Sequence, residues 1–293
     1  MDCEMKNIRD NDTYQIKKIK NGEKAIGCRW VFKKKLNKDG TVNKFKARLV
    51  AKGYLQRFGT DYNETFAPVA KFKSIRLLLA ISAQRSWKVY HDDVTSAFLN
   101  GILKEKVLMD QPDGYQQESS LHKWELKKTL YGLKQSPREW NEVIHNFLLT
   151  EGFIQSKLDP CLYHKKTNSY EIISGIYVDD VHSAGSIDEE VQKFRASLKR
   201  KFKCSEGGLL DWSLGMEVQQ GTDIIKLSQF QYILQKLDEF KDFLKPNVQR
   251  TTPLDSNFQN QLIKANESSK TEESFPYRSM VGSLSYLANG TRP

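Results

Sequence analysis

The sequence predicts an α+β fold built on an antiparallel sheet. Strand-like and helical segments alternate without the regular βα repeat of a parallel fold. Two segments, residues 25–52 and 171–184, have turn residues between apolar runs, as β-hairpins do. Two others, 137–149 and 187–202, place apolar residues on one helical face.

Taken in order, residues 25–52 predict a hairpin in which runs rich in Trp, Val, Phe and Leu flank Asn37-Lys38-Asp39-Gly40. Residues 75–85 are mostly apolar and follow Ser74, an N-cap candidate, so a buried helix is expected there. Residues 87–94 read as a strand. The 137–149 helix starts at Pro137 and carries Trp140, Ile144, Phe147 and Leu148 on one side. Residues 171–184 predict two short strands folded at Asp179-Asp180. The 187–202 helix has acids first and Lys199-Arg200-Lys201 last, with Ile187, Val191, Phe194, Leu198 and Phe202 as its stripe. Two later helices are expected at about 229–243 and 276–288, the first with a capping box at Ser228 and Gln231. The polar stretch 245–274 between them reads as loop.

Composition narrows the class. Of 293 residues, 39% are hydrophobic and 28% charged, which suits a globular chain with a core. There is no run of 18 apolar residues and therefore no expected membrane span, and the polar N-terminus resembles neither a signal nor a transit peptide. The four cysteines, Cys3, Cys28, Cys161 and Cys204, lie far apart, which points away from a zinc or disulfide framework and towards a reducing cytoplasmic or nuclear setting. The formal charge is +10. From Lys17 to Lys52, thirteen basic residues face two acids, so this segment carries about +11 and the rest of the chain about −1. Such a segment is either a solvated basic surface or the contact for a polyanion.

The carboxylates are the chemically informative residues. Asp93 ends a predicted strand, and Asp179 and Asp180 sit at the bend of a predicted tight hairpin. Two adjacent acids between apolar strands fit either a plain turn, where Asp is common, or a cation site. If the strands are neighbours, the carboxylates converge, and Mg²⁺ prefers such oxygen donors. Two ions about 4 Å apart are the arrangement that activates a hydroxyl and stabilises a leaving phosphate oxygen.

A family resemblance bears on this choice. Tyr177-Val178-Asp179-Asp180 resembles the YVDD box of reverse transcriptases. Residues 91–101 (HDDVTSAFLNG) resemble the Ty1/copia box QLDVKTAFLNG. Residues 46–56 (KARLVAKGYLQ), 61–69 (DYNETFAPV), 130–140 (LYGLKQSPREW), 214–217 (LGME), 227–232 (LSQFQY) and 277–293 resemble further boxes of that family, in the family's order and over nearly the whole chain. The resemblance is to the reverse transcriptase domain of a Ty1/copia-type LTR retrotransposon Pol polyprotein. It implies a right-hand polymerase: fingers at 1–84, palm at 85–225 with 102–136 returning to the fingers, and thumb with the start of a connection at 226–293. It also implies an RNA-directed DNA polymerase (a nucleotidyltransferase) working on an RNA template with a DNA primer and dNTPs, with two Mg²⁺ ions for which Mn²⁺ can substitute.

Roles implied by the resemblance follow by position. Asp93 and Asp179 resemble the main metal ligands, Asp180 completes the acidic pair, and Val94 adds a backbone group at the metals. Phe98 matches the aromatic gate against a ribose 2′-hydroxyl; otherwise it is a core residue. The segment Tyr131 to Pro137 would lie beneath template base and nucleotide, with Tyr131 and Gly132 at the nucleotide and Gln135 and Pro137 at the nucleic acid; Gly132 also fits an ordinary turn. Lys34 and Arg48 are the candidates for a triphosphate clamp, and Lys33, Lys35, Lys46 and Lys52 for template contacts or solvated charge.

Two departures stand out. Asp92 replaces a residue that is aliphatic in the family, and by strand alternation it faces away from the metals, where a carboxylate is expected either to weaken packing or to mark a decaying copy, and its replacement by Leu to keep or raise stability. Tyr14 stands where the family often has Trp. In the family, RNase H follows this region while protease and integrase precede it. Their absence here suggests an excised segment or a truncated product, in a cytoplasmic virus-like particle or nucleus, with RNase H and integrase as possible partners and no membrane contact. The alternative is an inactive or host-adopted fragment that only binds nucleic acid.

Overall fold

The computed structural model describes residues 1–20, 22–36, 41–205, 207–243 and 276–292. The chain divides into two compact units, Met1–Leu210 and Asp211–Pro293. The expected turn at 37–40 and the expected loop at 245–274 lie outside the described residues.

The first unit runs α1 (Asp2–Asp10), β1 (Tyr14–Lys18), β2 (Cys28–Leu36), β3 (Val42–Ala51), α2 (Phe72–Gln84), β4 (Val89–Asp93), β5 (Ile102–Met109), β6 (His122–Lys128), α3 (Ser136–Thr150), β7 (Ile154–Gln155), β8 (Leu162–Lys166), β9 (Glu171–Tyr177), β10 (Asp180–Gly185), α4 (Asp188–Lys201) and β11 (Gly208–Leu209). Its sheets are antiparallel: a six-stranded sheet ordered β11-β4-β10-β9-β8-β7, a three-stranded sheet β1-β6-β5, and the two-stranded ribbon β2-β3.

Two cores hold the unit together. One lies between the six-stranded sheet and helices α3 and α4, where Trp140, Ile144, Leu148, Val181, Val191 and Leu198 are buried. The helical spacing that predicts α3 and α4 is therefore the spacing that fills this layer. The other joins β3, β5, β6 and α1 around Trp124, Leu49, Met109, Met5 and Ile8. Here Tyr14 stacks on Trp124 at 3.6 Å, so the smaller ring still fills the aromatic position. Strand β6 pairs with β1 on one side and β5 on the other, in a sheet separate from the six-stranded one.

The sequence misses α1, β1, the β5-β6 pair and β8. In α1, only Met5 and Ile8 are apolar and buried beside Glu4, too short a stripe to read against its polar flanks. Helix α2 starts at Phe72, with Lys71 as its N-cap, so Ser74 lies inside the first turn. Its hydroxyl donates instead to the Asp159 carboxylate.

The second unit holds β12 (Trp212–Ser213), β13 (Met216–Gln220), β14 (Ile225–Ser228), α5 (Phe230–Glu239) and α6 (Tyr277–Gly290). In this unit β12 pairs with β13 and β13 with β14. At α5 the N-cap is Gln229, not Ser228. Ser228 Oγ accepts from the Phe230 N–H at 3.1 Å, while Gln229 Oε1 accepts from Thr291 N–H and hydroxyl at 3.1 and 2.9 Å.

Gly132 has φ +94°, and a Cβ there would overlap the Ala51 carbonyl and the Val50 side chain. Only glycine lets the 130–135 turn close onto β3, where Ala51 N–H donates to Tyr131 O at 2.8 Å. Gly132→Ala should therefore cost about 2–5 kcal/mol from backbone strain plus overlap. Gly22→Ala, at φ +87° with nothing within 4 Å, should cost about 1–2 kcal/mol from strain alone. Urea denaturation of both variants checks the difference.

Candidate active site

Strand pairing builds the acidic cluster. In the β4-β10 ladder Asp180 lies opposite Asp93, His182 opposite His91 and Val181 opposite Asp92. Alternation then sends Asp93, His91, Asp180 and His182 to one face of the sheet and Asp92 and Val181 to the other, against α3 and α4. In the β9-β10 ladder Tyr177 pairs with Asp180, so the bend is Val178-Asp179, one residue earlier than expected. Asp179 sits at the tip and Asp180 opens the return strand. Ligand oxygens of Asp93, Asp179 and Asp180 lie within 4.8 Å of one another, and all three side chains are half-exposed.

The tip is strained and held. Val178 has φ +58°, uncommon for a β-branched residue. Trp140 Nε1 donates to Val178 O at 2.7 Å, and Val94 N–H donates to Asp179 O at 2.8 Å. Helix α3 and the exit of β4 thus fix the turn that aims Asp179. Burial raises the Asp179 carboxyl pKa, Asp180 and Asp93 raise it further, and a backbone hydrogen bond and Arg48 oppose them. Three convergent carboxylates of this kind fit a hard divalent cation, whose charge would remove their mutual repulsion.

His91 is a residue the sequence reading passes over. Its Nε2 lies 2.7 Å from Asp180 Oδ1, and hydrogen bonding to Asp180 raises its pKa, against the effect of burial. The signal was visible: His91 stands where the resembled box has Gln, another hydrogen-bonding side chain.

A row of three side chains runs beside the carboxylates. Arg48 lies over the Tyr131 ring at 4.5 Å, and Phe98 meets the same ring edge-on at 4.8 Å. Burial raises the Tyr131 hydroxyl pKa; Arg48 opposes the shift, while Asp179 and Asp93 add to it. Phe98 follows Ser96, whose φ of +55° turns the chain out of β4 into a short 3₁₀ segment.

Several expected site residues are separated. In the ribbon, Val31 pairs with Arg48, Lys33 with Lys46 and Lys34 with Phe45. Arg48 therefore shares a face with Lys33 and Lys46, and Lys34 lies on the opposite face with exposed Phe32 and Phe45. Lys34 and Arg48 do not form one clamp. Lys35 is described in its backbone alone, and Lys52 is half-buried. Gln135 is 1% exposed, and its amide is engaged by Gln56 Nε2 and Asp61 O at 2.9 Å each. It fastens the 130–135 turn to the 53–61 segment instead. Pro137 is half-buried in the first turn of α3.

Asp92 is the main correction. It is fully buried, yet it does not weaken the packing, because Arg195 Nε and Nη2 donate to its two oxygens at 2.7 and 3.0 Å and Lys199 Nζ lies at 3.2 Å. Arg195, itself 6% exposed, also lies over the Tyr90 ring at 4.6 Å.

An antiparallel sheet thus brings three carboxylates together at one edge, beside an aromatic-basic row. Residues 11–255 match the family model described as reverse transcriptase (RNA-dependent DNA polymerase), and the chain belongs to that family. It is 39% identical over 92% of its length to the retrovirus-related Pol polyprotein from transposon RE1 of Arabidopsis thaliana, of which it covers 18%. It is 35% identical over its whole length to that from transposon TNT 1-94 of Nicotiana tabacum, covering 22% of it. The putative transposon Ty5-1 protein of Saccharomyces cerevisiae is 31% identical over 69% of the chain, which covers 64% of that protein. The chain thus spans about a fifth of the length of the two plant polyproteins. Among the described residues no helix is long and apolar enough to cross a membrane.

Asp92→Leu should destabilise the protein by about 3–5 kcal/mol, because Arg195 would keep a buried charge without its partner. Chemical denaturation measures this; unchanged or raised stability would show that the ion pair contributes little.

Proposed function

We propose that this chain is an RNA-directed DNA polymerase domain that extends a DNA primer on an RNA or DNA template. The observation that carries this reading is the meeting of Asp93, Asp179 and Asp180 at the sheet edge beside the Arg48-Tyr131-Phe98 row. Asp93 and Asp179 would hold two Mg²⁺ ions, with Asp180 completing the acidic set and the Val94 backbone beside them. The ions, when bound, would activate the primer 3′-hydroxyl and stabilise the departing pyrophosphate.

The remaining roles belong to the protein. The Arg48 guanidinium, on its aromatic support, is suited to phosphate oxygens of an incoming triphosphate, with Lys33 as the basic neighbour on its face. Tyr131 and the Gly132 backbone form the floor on which base and sugar lie. Phe98, propped against Tyr131, would occupy the space that a ribose 2′-hydroxyl needs. Lys46 and Lys52 are left for the template backbone, a contact that weakens with salt. In this reading residues 1–84 and the returning 102–136 are fingers, the six-stranded sheet is the palm and the second unit carries the thumb.

Primer extension by the purified chain tests the reading. Asp93→Asn and Asp179→Asn should each abolish extension without unfolding the protein, since each removes a charged ligand. Wild-type extension rates in either variant refute the metal assignment. A wild-type chain that binds primer-template without extending it would favour the binding-only alternative.

Arg48→Ala should lower incorporation by about 10²-fold, whereas Lys34→Ala should leave nucleotide kinetics unchanged. Phe98→Ala should narrow the preference for dCTP over rCTP by about 1–3 kcal/mol, measured as kcat/KM in one folded preparation. An unchanged ratio removes Phe98 from sugar selection.

A further inference from the structure

We infer that Asp92, held by Arg195 and Lys199 of α4, is a positioning residue for the metal-binding edge of the sheet; the inference rests on the polymerase reading above. Asp92 and Asp93 are neighbours on one strand and face opposite ways. A side chain fixed at 92 restrains the shared backbone from which Asp93 projects. On the buried side, Asp92 receives two hydrogen bonds from one guanidinium, at 2.7 and 3.0 Å, and an ammonium at 3.2 Å.

The guanidinium is itself fixed. Arg195 donates to Gln192 Oε1 at 2.8 Å and lies over Tyr90, whose hydroxyl donates to Asp188 at 2.5 Å. These partners all come from α4 and β4, so the helix is keyed to the strand at one register.

The chain after α4 closes on the same dipeptide. Gly207 packs so near Asp92 Oδ1 and the His91 carbonyl that a Cβ would overlap both. Ser205 N–H donates to Asp93 O at 2.9 Å, and Thr95 N–H to Lys203 O at 2.8 Å. Asp93 is thereby gripped through its backbone on one side and through its neighbour's side chain on the other.

An aliphatic side chain at position 92 would fill the same space, but apolar contacts are non-directional and do not lock rotation as a two-pronged ion pair does. The pair also neutralises a fourth carboxylate next to three that already repel one another. A structural ion pair would matter only for stability. A positioning pair matters for how well the carboxylates take a cation, even in a variant that is fully stable.

The test separates these. Asp92→Leu combined with Arg195→Leu replaces the pair by packed apolar side chains and should melt at or above the wild-type temperature. Mn²⁺ affinity, read by electron paramagnetic resonance on the free protein, should nevertheless fall by about 10-fold or more, with a matching rise in the Mg²⁺ needed for extension. Wild-type affinity in a folded double variant overturns the proposal. If that variant does not fold, Arg195→Lys keeps the charge and loses the fork; weakened Mn²⁺ binding supports the proposal and wild-type binding overturns it. A wild-type chain that binds Mn²⁺ but extends no primer removes the polymerase reading and leaves the affinity comparison to decide this one. A wild-type chain that binds no Mn²⁺ removes both.

Discussion

The antiparallel pairing of β4 with β10 is the constraint on which the rest of the site depends. It sets Asp180 opposite Asp93 and, through the two-residue bend, carries Asp179 to the same edge. A slip of one residue in this ladder would turn Asp93 into the core and Asp92 out to the site. The register is protected on both faces. Val181, Ile176 and Tyr90 fill the core under α3 and α4, and Asp92 pairs there with Arg195 and Lys199.

That arrangement gathers repulsive charge at one place. The opposing influences are local: Arg48 works against the burial-driven rise of the Asp179 pKa, His91 engages Asp180, and Asp92 is neutralised from behind. The strain at Val178 has the same logic. The bend needs an unusual backbone to project Asp179, and the Trp140 indole and Val94 amide over-determine it. An acidic edge and a strained tip both cost the fold, and the contacts around them hold them in place.

The β2-β3 ribbon shows how register sorts similar residues onto different faces. Lys33, Lys34, Lys46 and Arg48 are equivalent in composition, yet pairing places Arg48 with Lys33 and Lys46 and sends Lys34 to the face of Phe32 and Phe45. Gln135 shows the same for polarity. It reads as a surface contact and is instead the buried link between the 130–135 turn and the 53–61 segment.

The sequence alone determined the α+β class, both hairpins, α3 and α4 within a residue or two, and the three carboxylates. Those features rest on local signals: periodicity, turn residues and an ordered set of boxes. It could not decide α1, β1 or the β5-β6 pair, whose apolar stripes are short and whose stability comes from a core assembled by distant segments. Nor could it decide what Asp92 does. Asp92 is a charge at an apolar strand position, and Arg195 is an opposite charge four residues after Val191 on the apolar face of α4. Each alone reads as a fault; only the packing of α4 on the sheet, 103 residues apart in sequence, makes them one ion pair. Local chemistry is written in the chain, but the partner of a buried charge is chosen by the tertiary fold.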